Sequence, residues 1–325
     1  MDWPAFISTE IRRYLDDFQR IAIVVGAGRI GDEVRVYVHP PYMMQTTTLI
    51  DDQEALERLA QRHRERLTRV KHARDHAPDA VKALVNRHFY GDDGQEKPVA
   101  QGRSPLEDIR SVLQDAVDRQ LVPAGAGMPY PDGHDLRQWL KTYGVGVDCS
   151  AFVQQALTRV VRACYAAMGE VSGESQSYEV GWMLSRGVYR EINADAGEAS
   201  RFEHVATPGE ARPGDVQVKR GHIRIVAGVE AAADGGVILD LAESTSAKGV
   251  SVGLTDVDTD IGPRLIRVKY PEPDRAIDKQ TPMRQRWHDG AFAPDEEERV
   301  YILGRLRALA RFCRESHAPL FQCSE

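Results

Sequence analysis

The chain has 325 residues, a formal net charge of −7, 42% hydrophobic residues and 28% charged ones. That balance excludes wholesale disorder, and the length allows one large domain or two modest ones. The acidic excess argues against bulk electrostatic binding to nucleic acid or to an anionic membrane surface.

In chain order, residues 4–19 read as a helix, with Phe6, Ile7, Ile11, Tyr14, Leu15 and Phe18 at helical spacing. This N-terminus has no basic start followed by an apolar core, so no signal peptide is read, and no run approaches the ~20 apolar residues of a membrane span. IAIVVGAGRIGDEVRVYVHPP then reads as a β-hairpin around a glycine-rich turn, ended by Pro40-Pro41. A long charged helix is expected over 51–76, capped by Asp51 or Asp52, with Leu56, Leu59, Leu67 and Val70 as a narrow apolar stripe. Pro78 breaks it, and a shorter helix is expected over 79–89. Residues 91–104 read as a loop. Another helix is expected over about 105–121, with Ser104 as its cap and Pro105 in its first turn. PAGAGMPYPDG (123–133) is a second break, and the domain boundary is placed there.

Beyond the break a helix is expected from Cys149 to about Met168 and another around 177–186. Short strands are expected at 215–219, 222–229, 237–241, 250–254, 264–269 and 299–303, then a terminal helix over 304–315. Helices succeeded by several short strands predict an α+β fold with a mainly antiparallel sheet. The expected organisation is an N-terminal mainly helical region with a β-hairpin (1–122) and a second domain (123–325) with an insertion around 271–297.

Two motifs are declined. Gly26-Ala27-Gly28-Arg29-Ile30-Gly31 matches GxGxxG, but the dinucleotide mechanism needs a helix to begin inside the motif, and the next residues, DEVRVYV, alternate as a strand does. His72 and His76 have the spacing of a zinc helix, yet Ala73 stands where a metalloprotease carries its base. The helix is also rich in arginine (62, 64, 66, 69, 74), so a solvated face is the plainer reading, with a weak anionic-partner patch as its functional variant.

The informative segment is VGVDCSAFVQQALTRVV (145–161). Asp148 is a good N-cap. Cys149 falls on the first turn of a helix whose stripe is Phe152, Val153, Ala156, Leu157, Val160 and Val161. The positive end of the helix favours thiolate, the nucleophilic form, and the first backbone N–H groups point where an oxyanion would develop. Cys164, mid-helix, reads as core. The four cysteines (149, 164, 313, 323) form no CxxC pair and are too sparse for a disulfide scaffold. His222, at the start of a strand, has the chemistry to deprotonate the thiol and then protonate a leaving amine. Glu243, on the next strand, has the chemistry to orient that imidazole. For His222 and Glu243 taken singly, a turn residue and an edge-strand charge are the plainer readings.

DCSAFV (148–153), the PGD turn (213–215), GHIRIVAG (221–228) and AESTSAKGV (242–250) together resemble the NlpC-type papain-like cysteine peptidases, over roughly residues 128–255. SQSYEVGWMLSRGVYREI (175–192) looks like that family's link between the helix and the PGD turn. Ala151 stands where the family has glycine. The third polar residue, commonly His, is matched by Glu243, and the related CHAP-type amidases often carry an acidic or amide residue there. The aromatic residue that precedes the motif is matched loosely by Tyr143 or by Tyr130.

The resemblance implies a papain-like core, a helix bearing the cysteine packed on a mainly antiparallel sheet. It also implies a hydrolase of amide bonds in bacterial cell-wall peptides. Cys149 would be the nucleophile, His222 the base and Glu243 its orienting group, with Asp148, Ser150 and Tyr143 in support, and with no metal or organic cofactor. A peptide or peptidoglycan fragment is the expected substrate, and residues 1–122 are the expected site of any protein partner. The alternatives are a non-catalytic binding or assembly module on the same fold, and an acyltransferase or transglutaminase-like enzyme. Lacking a leader, the chain is expected to be cytoplasmic or exported by a non-classical route.

Overall fold

The apolar residues spaced along the first twenty positions form helix α1 (Trp3–Gln19), with Ile7, Ile11, Leu15 and Phe18 buried on one face. The computed structural model of the chain describes residues 1–27, 33–43, 65–91, 94, 95, 97, 102–170, 172–181, 185–193, 200–219, 222–245, 262–277, 283–287, 297–299 and 301–314. Strands β1 (Ile21–Ala27) and β2 (Glu33–Val38) pair antiparallel from Ile21↔Val38 to Ala27↔Glu33, with a bulge between Val24 and Gly26. Four helices come next: α2 (65–75), α3 (Asp79–Phe89), α4 (Leu106–Asp118) and α5 (Gly133–Tyr143). After them come α6 (Cys149–Ala167), α7 (Gly173–Ser177) and α8 (Ser185–Asn193).

Among the described residues eight further strands occur: β3 (Phe202–Val205), β4 (Val216–Lys219), β5 (His222–Ala231), β6 (Val237–Thr245), β7 (Gly262–Tyr270), β8 (Met283–Trp287), β9 (Glu297–Arg299) and β10 (Ile302–Leu306). Helix α9 (Arg307–Arg314) succeeds them. The class is α+β, as the sequence of helical and strand textures predicts. Among the described residues no helix is long and apolar enough to cross a membrane.

The chain divides into two compact units. A sheet unit comprises Met1–Arg13, Ala156–Ala242 and Ile266–Glu325, and a helical unit comprises Tyr14–Gln155 and Glu243–Leu265. The division runs through α1, α6, β6 and β7, not at residue 122 as composition suggests. A Gly/Pro-rich stretch marks a place where regular structure stops. Which segments cluster is decided by partners far apart in sequence, and the mostly exposed stretch at 123–133 is a connection inside the helical unit.

The large sheet has the order β3-β10-β4-β5-β6-β7-β8-β9. The pairings with a described register are antiparallel. On β5 the run from Ile223 to Ala227 is buried without alternation, the mark of a strand covered on both faces. That leaves polar side chains inside. Arg224 sits opposite Gln217 and donates to its Oε1 at 3.0 Å, with its guanidinium 5.0 Å from the centroid of the Tyr301 ring. Gln217 donates in turn to the Tyr270 hydroxyl, and burial pushes that phenol upward. The PGD turn ends on Asp215, which is 1% exposed. Arg305 of β10 grips both of its oxygens at 2.8 Å, and the Arg212 N–H donates to Oδ2 at 2.8 Å.

Several expectations need correction. Helix α5 occupies the stretch directly after the Gly/Pro-rich break, where the sequence pattern predicts no helix; Asp132 and Asp135 form a capping box that starts it, and Gly144 ends it in the left-handed region. The helix expected around 177–186 is two helices, α7 and α8, with non-helical residues 178–181 between them. The region expected to be an insertion contributes β8 and β9. The final strand is β10, displaced by a few residues from 299–303, and α9 starts only at Arg307. Pro105, not Ser104, is the N-cap of α4, and no side-chain cap bond is made there. The proline ring leaves the first turn with one orphan donor fewer, so the cap is less needed. The strand expected at 250–254 and residues 51–64 lie outside the described residues.

Removing one partner of a buried ion pair strands the other charge. Arg305→Met is expected to cost about 3–5 kcal/mol, read as a lower urea midpoint, and the double variant Asp215→Asn/Arg305→Met is expected to recover part of that loss. Additive losses would show that the two side chains do not depend on each other.

Candidate active site

The amphipathic stripe read from the sequence is the buried face of α6: Phe152, Val153, Ala156, Leu157, Val160 and Val161 are all fully buried, and so is Cys164. The helix starts where the sequence says it should. Asp148 Oδ1 accepts from the Ala151 N–H at 2.6 Å, and its carbonyl accepts from the Phe152 N–H at 3.0 Å. Cys149 therefore occupies the first turn, 5% exposed, with its Sγ 3.9 Å from Ser150 Oγ. Within the helical unit an aromatic cluster holds this end of the helix. The Tyr14 and Phe18 rings lie 5.6 and 5.7 Å from that of Phe152, and the Tyr14 hydroxyl donates to Gln155 Oε1 at 2.8 Å.

The lead-in is clasped by backbone. Val147, fully buried, bridges parallel to Tyr42 and antiparallel to Arg103. The Asp148 N–H donates to the Gly102 carbonyl at 2.8 Å, and the Val147 carbonyl accepts from Ser244 Oγ at 2.7 Å and from the Met43 N–H at 3.5 Å. Gly102 has φ +67°, and a Cβ there would run into the Met43 carbonyl, so the clasp requires glycine.

Arg103, which the sequence pattern marks only as part of a loop, enters the site by this route. It is 7% exposed, and its Nη2 donates to Gln154 Oε1 at 2.8 Å. Gln155 Nε2 donates at 3.3 Å to the carbonyls of both Arg103 and Ser104. Burial lowers the guanidinium from its ordinary value, and the charges of Asp148 and Cys149 oppose that shift. No periodicity marks this residue; the sole signal in the sequence is a cation between Gly102 and Ser104 in a segment otherwise rich in loop residues.

Cys149, Asp148, Ser150, Tyr143 and Glu243 belong to the helical unit and His222 to the sheet unit. Glu243 is fully buried near the end of β6, and Arg264 Nε and Nη2 hold its Oε1 at 2.8 and 2.7 Å. Its neighbour Ser244 is the residue that reaches the Val147 carbonyl. His222 opens β5, half-buried, in register with Lys219 of β4. Tyr143 ends α5, its ring 4.9 Å from that of Trp139 and its carbonyl accepting from Arg74 Nε at 2.9 Å; burial raises its phenol. The Cys313 side chain and Cys323 lie outside the described residues.

The declined motifs have local explanations. Gly26 lies in β1 beneath the Tyr130 ring, which leaves no room for a Cβ, and the chain goes on into β2. Gly28 and Gly31 lie outside the described residues. His72 and His76 are exposed and stacked at 4.0 Å. Two arginines of the same helix are not solvated as expected. Arg66 donates to the Tyr42 carbonyl, while Arg74 lies over the Phe89 ring at 4.5 Å and donates to Tyr143. Long arginine stems lie along apolar surface and carry their heads to polar groups, here backbone carbonyls. Among the described residues no group of three His, Cys, Asp or Glu side chains is placed to hold a metal ion.

Compared with protein-family models, curated proteins and solved structures, the chain gave no match.

Burial pushes the Asp148 carboxyl up from 3.8 to about 6, against the Ala151 and Ser150 N–H groups and Arg103, which favour the anion. A carboxyl whose folded value is raised binds its proton more tightly in the native state. Its contribution to stability is therefore fully present below pH 3.8 and is lost as the pH rises through about 6. Asp148→Asn keeps a capping oxygen and removes the ionisation. The variant is expected to gain on wild type by up to about 3 kcal/mol between pH 4 and pH 7, measured by urea unfolding at each pH. A difference that does not change with pH would rule out the buried carboxyl as its source.

Proposed function

We propose that this chain is a thiol hydrolase that cleaves amide bonds, its substrates being the stem peptides of bacterial peptidoglycan. The observation that carries the reading is Cys149 in the first turn of α6, where the helix end is positive, the Asp148 cap fixes the turn and a buried cation lies within electrostatic reach. In this reading the Cys149 thiolate attacks the substrate carbonyl carbon, and backbone N–H groups at the start of α6 stabilise the oxyanion. His222 takes the thiol proton and returns it to the leaving amine. Water, deprotonated by the same imidazole, then attacks the thioester and releases the acid and the thiol. Glu243, with Arg264 on one oxygen, orients the imidazole. No metal or organic cofactor takes part in these steps.

The resemblance of DCSAFV, the PGD turn and GHIRIVAG to the NlpC-type peptidases supports the choice of amide bonds and of wall peptides. An acyl-enzyme is also open to acceptors other than water, which would make the protein an acyltransferase.

The test is digestion of purified wall peptides, with the products read by mass spectrometry. Wild type is expected to give shortened peptides, and Cys149→Ala and His222→Ala to lower the rate by at least about a thousandfold. Products heavier than hydrolysis allows would assign acyl transfer. Peptides left intact by wild type would overturn the proposal. In parallel, a thiol-directed electrophile is expected to label Cys149 ahead of Cys164, Cys313 and Cys323.

A further inference from the structure

We propose that Arg103 is a positioning residue that holds the Cys149 sulfur in its anionic form from beside the first turns of α6. The inference rests on the reading of Cys149 as a reactive thiol. Its geometry begins with the backbone. Residue 103 pairs with residue 147, two positions before the cysteine, and the Gly102 carbonyl takes the N–H of the residue between them at 2.8 Å. The side chain then runs forward along the helix to Gln154, whose Oε1 it meets at 2.8 Å, while Gln155 fastens the Arg103 carbonyl. Residue 103 is thus held at its main chain beside the lead-in and at its guanidinium by Gln154, so that the side chain lies along the first turns of α6.

The placement is costly unless anions share the space. A cation beside a helix N-terminus opposes the helix dipole, and burial at 7% exposure removes most of its hydration. Asp148 and, when it is ionised, Cys149 are the neighbours whose negative charge favours the cation. A carboxylate at 148 draws on the same cation and lies beside the sulfur, so the two anions compete for it. Among the described residues near the lead-in, Glu243 is paired with Arg264, Arg66 donates to the Tyr42 carbonyl, and Arg74, beside Gly144, donates to the Tyr143 carbonyl. In the proposed mechanism, His222 is the remaining titratable partner of the sulfur. Arginine suits the role because it keeps its charge when buried, where lysine would give up its proton.

The experiment is the rate of Cys149 alkylation by iodoacetamide as a function of pH, read by peptide mass spectrometry on the full chain. Wild type supplies the reference midpoint. Arg103→Met is expected to raise that midpoint by about one unit and to slow labelling below it about tenfold. Arg103→Lys, whose ammonium gives up its proton when buried, is expected to raise the midpoint as Arg103→Met does, and Asp148→Asn, which removes the competing anion, to lower it. If Arg103→Met does not fold, Gln154→Leu frees the guanidinium from its tether and is expected to raise the midpoint by about half a unit. A folded Arg103→Met, or failing that a folded Gln154→Leu, with the wild-type midpoint overturns the inference. The readout needs no substrate. A shifted midpoint with uncut wall peptides would sink the hydrolase reading and leave this one standing, and cut peptides with an unmoved midpoint would do the reverse.

Discussion

The start of α6 is fixed by the backbone pairing of a single buried residue, Val147, between Tyr42 on one side and Arg103 on the other. A helix end is ordinarily free to fray. Here its lead-in is a short ladder whose donors and acceptors are taken by Gly102, Met43 and Ser244. The direction in which Cys149 leaves the backbone is set by buried main-chain groups together with the buried Ser244 hydroxyl and Asp148 carboxyl. The same ladder brings Arg103 in, because a residue paired at 147 cannot avoid the first turn of the helix that begins two residues later.

In each of the two units the fold places charge in dry surroundings and balances it locally. Arg103 feels the charge of Asp148, Arg264 holds Glu243, Arg305 forks onto Asp215, and Arg224 is shared between an amide and an aromatic face. Buried ionic groups contribute little net stability against apolar substitutes, yet they penalise misregistered alternatives heavily. In a sheet whose central strands are apolar on both faces, register is weakly specified by pattern alone. The pairing of Gln217 with Arg224 supplies a mark that a slip of one residue would destroy.

Local features are the legible ones. The stripe of α6, the Asp148 cap, the core role of Cys164 and the span of α3 come from periodicity and capping chemistry, which act within a few residues. Helix α5 is hidden because Gly133 and the prolines before it lower its apparent propensity, although Asp132 and Asp135 are present as a box. Arg103 and the partner of Glu243 are invisible for a different reason. Nothing near Arg103 in the sequence points to Asp148, and Arg264 comes after Glu243 only beyond a long stretch with no recognisable pairing signal. Long-range electrostatic partners leave no periodic trace, and the division into units, which depends on which segments pack together across long stretches of chain, has no counterpart in compositional breaks.

The strand order has a consequence for how the molecule is made. β10 lies between β3 and β4, although it comes after all the other described strands in sequence. During synthesis β3 and β4 leave the ribosome with their facing edges open, and they stay so until residues 302–306 have emerged. For that interval the nascent sheet has an unfilled slot lined by unpaired backbone, the kind of edge that recruits stray strands. The protein is therefore expected to need protection by chaperones until residues 302–306 have emerged, and the arrival of Arg305 at Asp215 locks the slot.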